Sequence, residues 1–309
     1  MMNKREFCNY VEENLLSVLD ISDATVKVSD VRKNNNVILS GLVVKQKGQK
    51  ILPTIYVEPY FEQYEMGFAS LSEVIVEIAN AYQSAIDNNP YPFFHQSMLS
   101  KDKVIGTVIN RHFNEDFLRD VPYVEFLDDY AIIFKVLLDI EADGTFATVT
   151  ITDYMAEFLN MTTEELLSLA LENTPKLCPV ELKNIKELLV ESMGLKEEDF
   201  SNVKEEIKMY YLSNKQRNLG CFSIFAKECR QRLQELFDCD VYVIPSSIHE
   251  FLIVPDDGKM GIENLTVIIR MVNAEEVPEE QLLGSKPFLL KREEGYNAVN
   301  GLLSIAIAS

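Results

Sequence analysis

The chain reads as an α+β protein: antiparallel sheets with flanking helices, and a final third in the ferredoxin-like order β-α-β-β-α-β. Three observations predict this. Apolar residues recur every three to four positions in several stretches, the mark of one-sided helices. Short apolar runs rich in Val and Ile lie between them, with the length of strands. Successive strand-like runs also adjoin one another across tight turns, as antiparallel pairing requires.

A chain of 309 residues exceeds one typical domain. Two breaks suggest three regions: 1–90, 91–200 (with continuity with the first left open) and 201–309. The first break is Asn88-Asn89-Pro90-Tyr91-Pro92, and the second is the Glu- and Lys-rich, apolar-poor stretch 195–206.

In the first region Asn3 and Glu6 have capping-box spacing, ahead of the helical stripe Phe7, Tyr10, Val11, Leu15, Val18 and Leu19. Val26, Val28 and Val31 lead into the Asn34-Asn35-Asn36 turn. Val37–Val44 follows, then the Lys47-Gly48 turn and Ile51–Val57, where Pro53 indicates an edge or an irregular strand. Ser70 and Glu73 cap a second helix through Leu71, Val74, Ile75, Ile78 and Tyr82, giving the order α-β-β-β-α. Tyr56, Tyr60, Phe61 and Tyr64, with Glu58, Glu62 and Glu65, fit either a peptide-docking face or core packing with a charged rim.

The middle region predicts a strand at Val104–Ile109 and a polar helical turn around Asn114–Arg119. Ala131–Leu138 and Thr145–Ile151 flank Asp143-Gly144 as a hairpin. Thr162 and Glu165 cap a helix through Leu166, Leu167, Ala170 and Leu171. A further helix is expected from Pro179 through Leu182, Ile185, Leu188 and Leu189 to Gly194. In the last region Ile207–Leu212 reads as a strand and Phe222–Phe237 as a helix. Strands Val241–Ile244 and Ile248–Val254 are expected to be broken by Pro245-Ser246-Ser247. A helix through Ile262, Leu265, Ile269 and Val272 follows, with Pro287–Leu290 as the closing strand.

Charge restricts the function classes. Lys and Arg total 29 against 49 Asp and Glu, a net charge of −20. Such a field repels phosphate backbones and anionic lipid, and no cationic run offsets it, so neither nucleic-acid nor membrane binding is expected. Solubility accounts for the acidity, with DNA mimicry as the rarer use. The five cysteines are odd in number and irregularly spaced, so neither a disulfide framework nor a zinc ribbon is indicated. The N-terminus has no signal-peptide character, and Leu302–Ala308 is too short to span a bilayer. A reduced, cytoplasmic protein is the expectation.

Phosphate-binding glycine loops, His-Glu-x-x-His and Gly-x-Ser-x-Gly are absent from the sequence, and no cofactor or metal is expected. The best chemical candidate is Tyr242-Val-Ile-Pro-Ser-Ser-Ile-His-Glu, where Ser246, Ser247, His249 and Glu250 lie between two apolar runs. An imidazole beside hydroxyls can serve as a general base or ligate a metal. Against that, neighbours on a strand point to opposite faces, so His249 and Glu250 would diverge. Serines after a proline also satisfy turn amides, and Asp256 and Asp257 would lie at the far end of the second strand. His95 and His112 are lone histidines near aromatics. Cys221, Cys229, Cys239 and His249 match no zinc spacing.

The stretches Val37-Ile-Leu-Ser-Gly-Leu-Val-Val, Val108-Ile-Asn-Arg, Val121-Pro-Tyr and Ser246-Ser-Ile-His-Glu resemble a bacterial family of uncharacterised proteins, domain of unknown function 5688. The likeness runs from about Asn3 to Val299 and implies a bacterial cytoplasmic protein, with no catalytic residues to carry over. The opening α-β-β-β-α order is also similar to the acidic scaffold of type III secretion chaperone-like proteins, which cradle polypeptides. A non-enzymatic binding or interaction protein, chaperone-like or adaptor-like, with a protein partner, is therefore the first expectation. A hydrolase or metal-dependent enzyme using Ser246-Ser247-Ile248-His249-Glu250 is the alternative.

Overall fold

The computed structural model describes residues 2–46, 53–87, 99–141, 143–193, 208–258 and 261–299. The Lys47-Gly48 turn, both expected linkers, His95, Gly194 and Leu302–Ala308 lie outside them. The chain divides into two compact units, Met1–Met98 and Leu99–Ser309.

In the first unit the capping box forms as its spacing predicts. Glu6 N–H donates to Asn3 Oδ1 at 3.0 Å and Asn3 N–H to Glu6 Oε2 at 2.9 Å. Helix α1 (Lys4–Leu19) buries Phe7, Val11 and Leu15. Strands β1 (Ala24–Arg32), β2 (Ile38–Gln46) and β3 (Ile55–Tyr56) form an antiparallel sheet in that order. The turn between β1 and β2 places Asn35 and Asn36 at φ 60° and 57°, a left-handed conformation that Asn tolerates better than most residues. Between β3 and α3 (Leu71–Asp87) lies a helix that the sequence reading missed, α2 (Glu58–Glu65), with Pro59 in its first turn. It decides the fate of the aromatic cluster. Phe61 and Tyr64 meet the Phe7 ring at 5.4 and 5.7 Å between centroids, and Tyr60 packs on the same core.

In the second unit β4 (Val104–Asn110), β5 (Tyr123–Phe126), β6 (Tyr130–Ile140) and β7 (Phe146–Thr150) form one antiparallel sheet. The long β6 takes β4 along one edge and β5 and β7 in succession along the other. At the β6–β7 turn Thr145 N–H donates to Asp143 Oδ1 at 2.9 Å, and Gly144 has φ 89°. Helices α4 (Asp153–Leu159) and α5 (Thr163–Leu177) follow, and α5 opens on the expected Thr162–Glu165 capping box.

The helix expected from Pro179 to Gly194 is half strand. Val180–Asn184 is β8, and only Ile185–Met193 is helical (α6). Likewise Gly220–Phe225 is a 3-10 segment, and the helix proper, α7, is Lys227–Leu236. Strands β9 (Tyr210–Asn214), β10 (Val241–Ser247), β11 (Glu250–Pro255) and β12 (Phe288–Leu290), with α8 (Ile262–Glu276) before β12, complete the unit. The second sheet runs β12-β10-β11-β9-β8.

That order departs from the ferredoxin-like expectation, in which the last strand lies beside the first. Here β8 occupies the outer edge of β9, and β12 pairs with β10 instead. The two helices also lie on opposite faces. Val241 and Val243 share a core with Cys229 and Leu233 of α7, whereas Ile244 packs on Leu265 and Ile269 of α8, with Tyr242 beside it. The first of those cores also contains Val104, Ile132 and Phe134. Described residues from 99–193 and from 208–299 therefore share one interior. Among the described residues no helix is long and apolar enough to cross a membrane.

Candidate functional site

Pro245-Ser246-Ser247 does not interrupt the hairpin as expected. Strand β10 continues to Ser247, with Pro245 opposite Phe251, and the register shifts at Ser246. β12 reaches only as far as Val243, and the bulge follows at once, so Pro245 sits where a strand tolerates a residue without an N–H. The turn itself is Ile248–His249.

Hydrogen bonds hold that turn from several sides. Ser247 Oγ donates to Glu250 Oε1 at 2.8 Å and accepts from the His249 N–H at 3.0 Å. The His249 carbonyl accepts from Gly220 N–H at 3.0 Å and from Ser213 Oγ at 2.7 Å. The His249 imidazole accepts at Nδ1 from Leu219 N–H at 3.0 Å. Buried Cys221 donates its thiol to the Ser247 carbonyl at 3.0 Å, and Ile248 N–H donates to the Gln281 carbonyl at 2.9 Å. Leu219 has φ 50°, and Gly220 follows because a Cβ there would meet Ser213 Oγ and the His249 carbonyl.

The groups singled out from sequence therefore lie together but are engaged separately. The Ser247 hydroxyl donates to Glu250, while the His249 ring is paired with a backbone amide of another element. Burial lowers the His249 pKa, opposed by the nearby Glu250 carboxylate. Burial also raises the Cys221 pKa well above the usual thiol value. A neutral imidazole is what the Leu219 amide requires, since a protonated Nδ1 cannot accept. The half-buried Ser246 lies on the bulge. Asp256 is at the opposite end of β11, its N–H donating to the Asp240 carbonyl at 2.8 Å. His112 lies on the surface 3.5 Å from Asp129 Oδ1. Among the described residues no group of three or more His, Cys, Asp or Glu side chains could hold a metal ion, the set Cys221, Cys229, Cys239 and His249 included.

A second feature escaped the sequence reading. Leu265 and Ile269 of α8 are buried as the stripe predicts, but Val272 is 50% exposed and Ile262 42%. Val267 at 57%, Ile268 at 48% and Met271 at 65% exposure lie on the side away from the sheet. The helix thus has two apolar faces, and only one is covered by the described residues. The signal was present: apolar side chains at 262, 265, 267, 268, 269, 271 and 272 are too many for a single stripe.

The first unit has a cleft of about 390 Å³ between α1 and the β1–β2 strands, lined by Lys4, Arg5, Cys8, Glu12, Asp30 and Ser40. Lys4 Nζ and the Ser40 N–H both reach Glu58 Oε1 at 2.6 Å. Burial works against the Glu58 carboxylate, but these bonds hold its pKa below the ordinary value.

No curated protein and no solved structure matches the chain. A family model does, over the two units and the hairpin site alike: it covers residues 4–292, and the chain belongs to that family, a family of unknown function (DUF5688).

Proposed function

We propose that this is a cytoplasmic, non-enzymatic binding protein that docks a partner polypeptide on the outer face of α8. The observation that carries the reading is the second apolar face of that helix, with Val267, Ile268, Met271 and Val272 facing water. A helix with apolar side chains on more than one side is normally covered on each of them, and contiguous exposed apolar surface of this kind marks an interaction site. The acidic composition and five free cysteines suit a soluble protein in a reducing compartment. The hydrolase alternative needs an imidazole at a serine hydroxyl, and Ser247 turns to Glu250 instead.

The test compares the intact protein with Val267→Glu/Met271→Glu. Both positions are largely exposed, so the fold should persist with an unchanged melting temperature, while binding of an apolar dye falls severalfold and the partner is lost. Equal dye binding by both proteins would remove the basis of the proposal.

A further inference from the structure

We infer that the occupant of the α8 outer face is a cationic amphipathic helix of another polypeptide. This inference rests on the docking role proposed above and deepens it. Val267 and Met271, and Ile268 and Val272, are spaced four apart and stack along the helix as a short ridge. Fifteen residues of α8 give a platform about 22 Å long, at about 1.5 Å per residue. A ridge of that shape is complementary to the apolar stripe of a second helix.

Charge identifies the partner's polar flank. Glu263 opens α8, and Glu275 and Glu276 end it. The last turn of α8 holds no basic residue. Acidic side chains there oppose the helix dipole, whose C-terminal end is already negative, so their placement works against the helix itself. Cationic side chains brought by a docked partner would complement that end. The basic side chain on α8, Arg270, is turned aside, its Nε donating to Ser285 Oγ at 3.3 Å. The ridge therefore presents apolar side chains between acidic ends, and Lys or Arg flanking a Leu-like stripe would satisfy both.

The same charges argue against a second copy of this chain. An antiparallel α8 pair centred on Ile269 sets Glu263 against Glu275 of the other copy, and a parallel pair sets each glutamate against itself. Each copy also carries a net charge of −20. An anionic membrane is disfavoured for the same reason.

The experiment titrates the full chain with two synthetic amphipathic helices of equal length, one of Leu and Lys, the other of Leu and Glu. The Leu/Lys peptide should bind, the Leu/Glu peptide should not, and binding should weaken about tenfold between low and physiological salt. Met271→Glu should abolish binding even though it adds negative charge, and the neutral Met271→Gln should weaken it. Diffuse attraction to an acidic protein would instead be strengthened by Met271→Glu, and that result overturns the inference. Self-association dissolved by Met271→Glu, or partition onto phosphatidylcholine vesicles, also overturns it. The first of these leaves the docking role of α8 standing with a different occupant. Failure of both peptides, with no apolar-dye binding, removes the docking role as well.

Discussion

His249 ties its turn to the surrounding elements: the ring accepts from Leu219 N–H, the amide donates to Ser247 Oγ, and the carbonyl accepts from Ser213 Oγ and Gly220 N–H. Its burial carries a pH consequence. The folded-state pKa lies below the ordinary imidazole value of about 6.5, so the unfolded chain takes up a proton first as pH falls. The stabilisation is complete above about pH 6.5 and is lost as pH drops from there through the depressed folded value. His249→Asn keeps an acceptor for Leu219 without titrating in this range, so its urea-unfolding free energy should change less between about pH 7.5 and about pH 5 than that of the wild type. An identical slope in both proteins would assign the pH dependence elsewhere. The cysteines make a separate prediction. Cys178, Cys221 and Cys229 are buried, and burial raises the first and third to about 12. A thiol reagent should therefore modify only Cys8 and Cys239 in the native protein, and all five after denaturation. Rapid native labelling of Cys221 would contradict its enclosure.

At the scale of elements, the free edge of β4 is closed by side chains of a helix. Gly106 N–H donates to Thr174 Oγ1 at 3.0 Å, and Asn173 Nδ2 reaches the carbonyls of Lys101 at 2.9 Å and Val104 at 3.3 Å. Edge strands with open amides invite pairing with other chains, and α5 removes that possibility along β4. Thr174→Val keeps the shape but strands a buried amide, and should cost about 1–3 kcal/mol in urea unfolding. Removing the α5 cap with Thr162→Ala should cost about 1 kcal/mol, because Glu165 N–H then loses its partner at 3.3 Å. A Thr174→Val protein as stable as the wild type would mean that water replaces the lost hydroxyl. Gly220 belongs to the same scale: an added Cβ meets backbone and a hydroxyl from two elements, so Gly220→Ala should loosen the 3-10 segment from the hairpin.

For the whole molecule, the dominant fact is the surplus of 49 acidic over 29 basic residues. Like charge at this density opposes compaction, and salt screens it over about 10 Å at 0.1 M. Raising sodium chloride from about 10 mM to about 0.3 M should therefore raise the melting temperature. A fall would show that specific ion pairs, such as Lys183 with Glu181 and Glu191, outweigh the net repulsion. The two units hold separate cores, one around Phe7, Leu42 and Ile78 and the larger around Phe134, Phe222 and Val243. A fragment of residues 1–98 should accordingly show cooperative unfolding by itself.

Features set by neighbours in the chain were legible in the sequence. The caps at Asn3 and Thr162 and the Asp143-Gly144 turn each close a hydrogen bond within three residues, so spacing alone locates them. The alternation of apolar and polar positions likewise determined the α+β class. The identity of β8, the place of β12, and the engagement of Ser247 and His249 depend on partners far along the chain, such as Leu182 with Leu212 or His249 with Leu219 thirty residues away. A strand exists because another strand pairs with it, and the apolar surplus on α8 becomes a surface only when the sheet covers one side. Local chemistry could name the parts; the tertiary structure decided which groups were satisfied and which apolar face was left open.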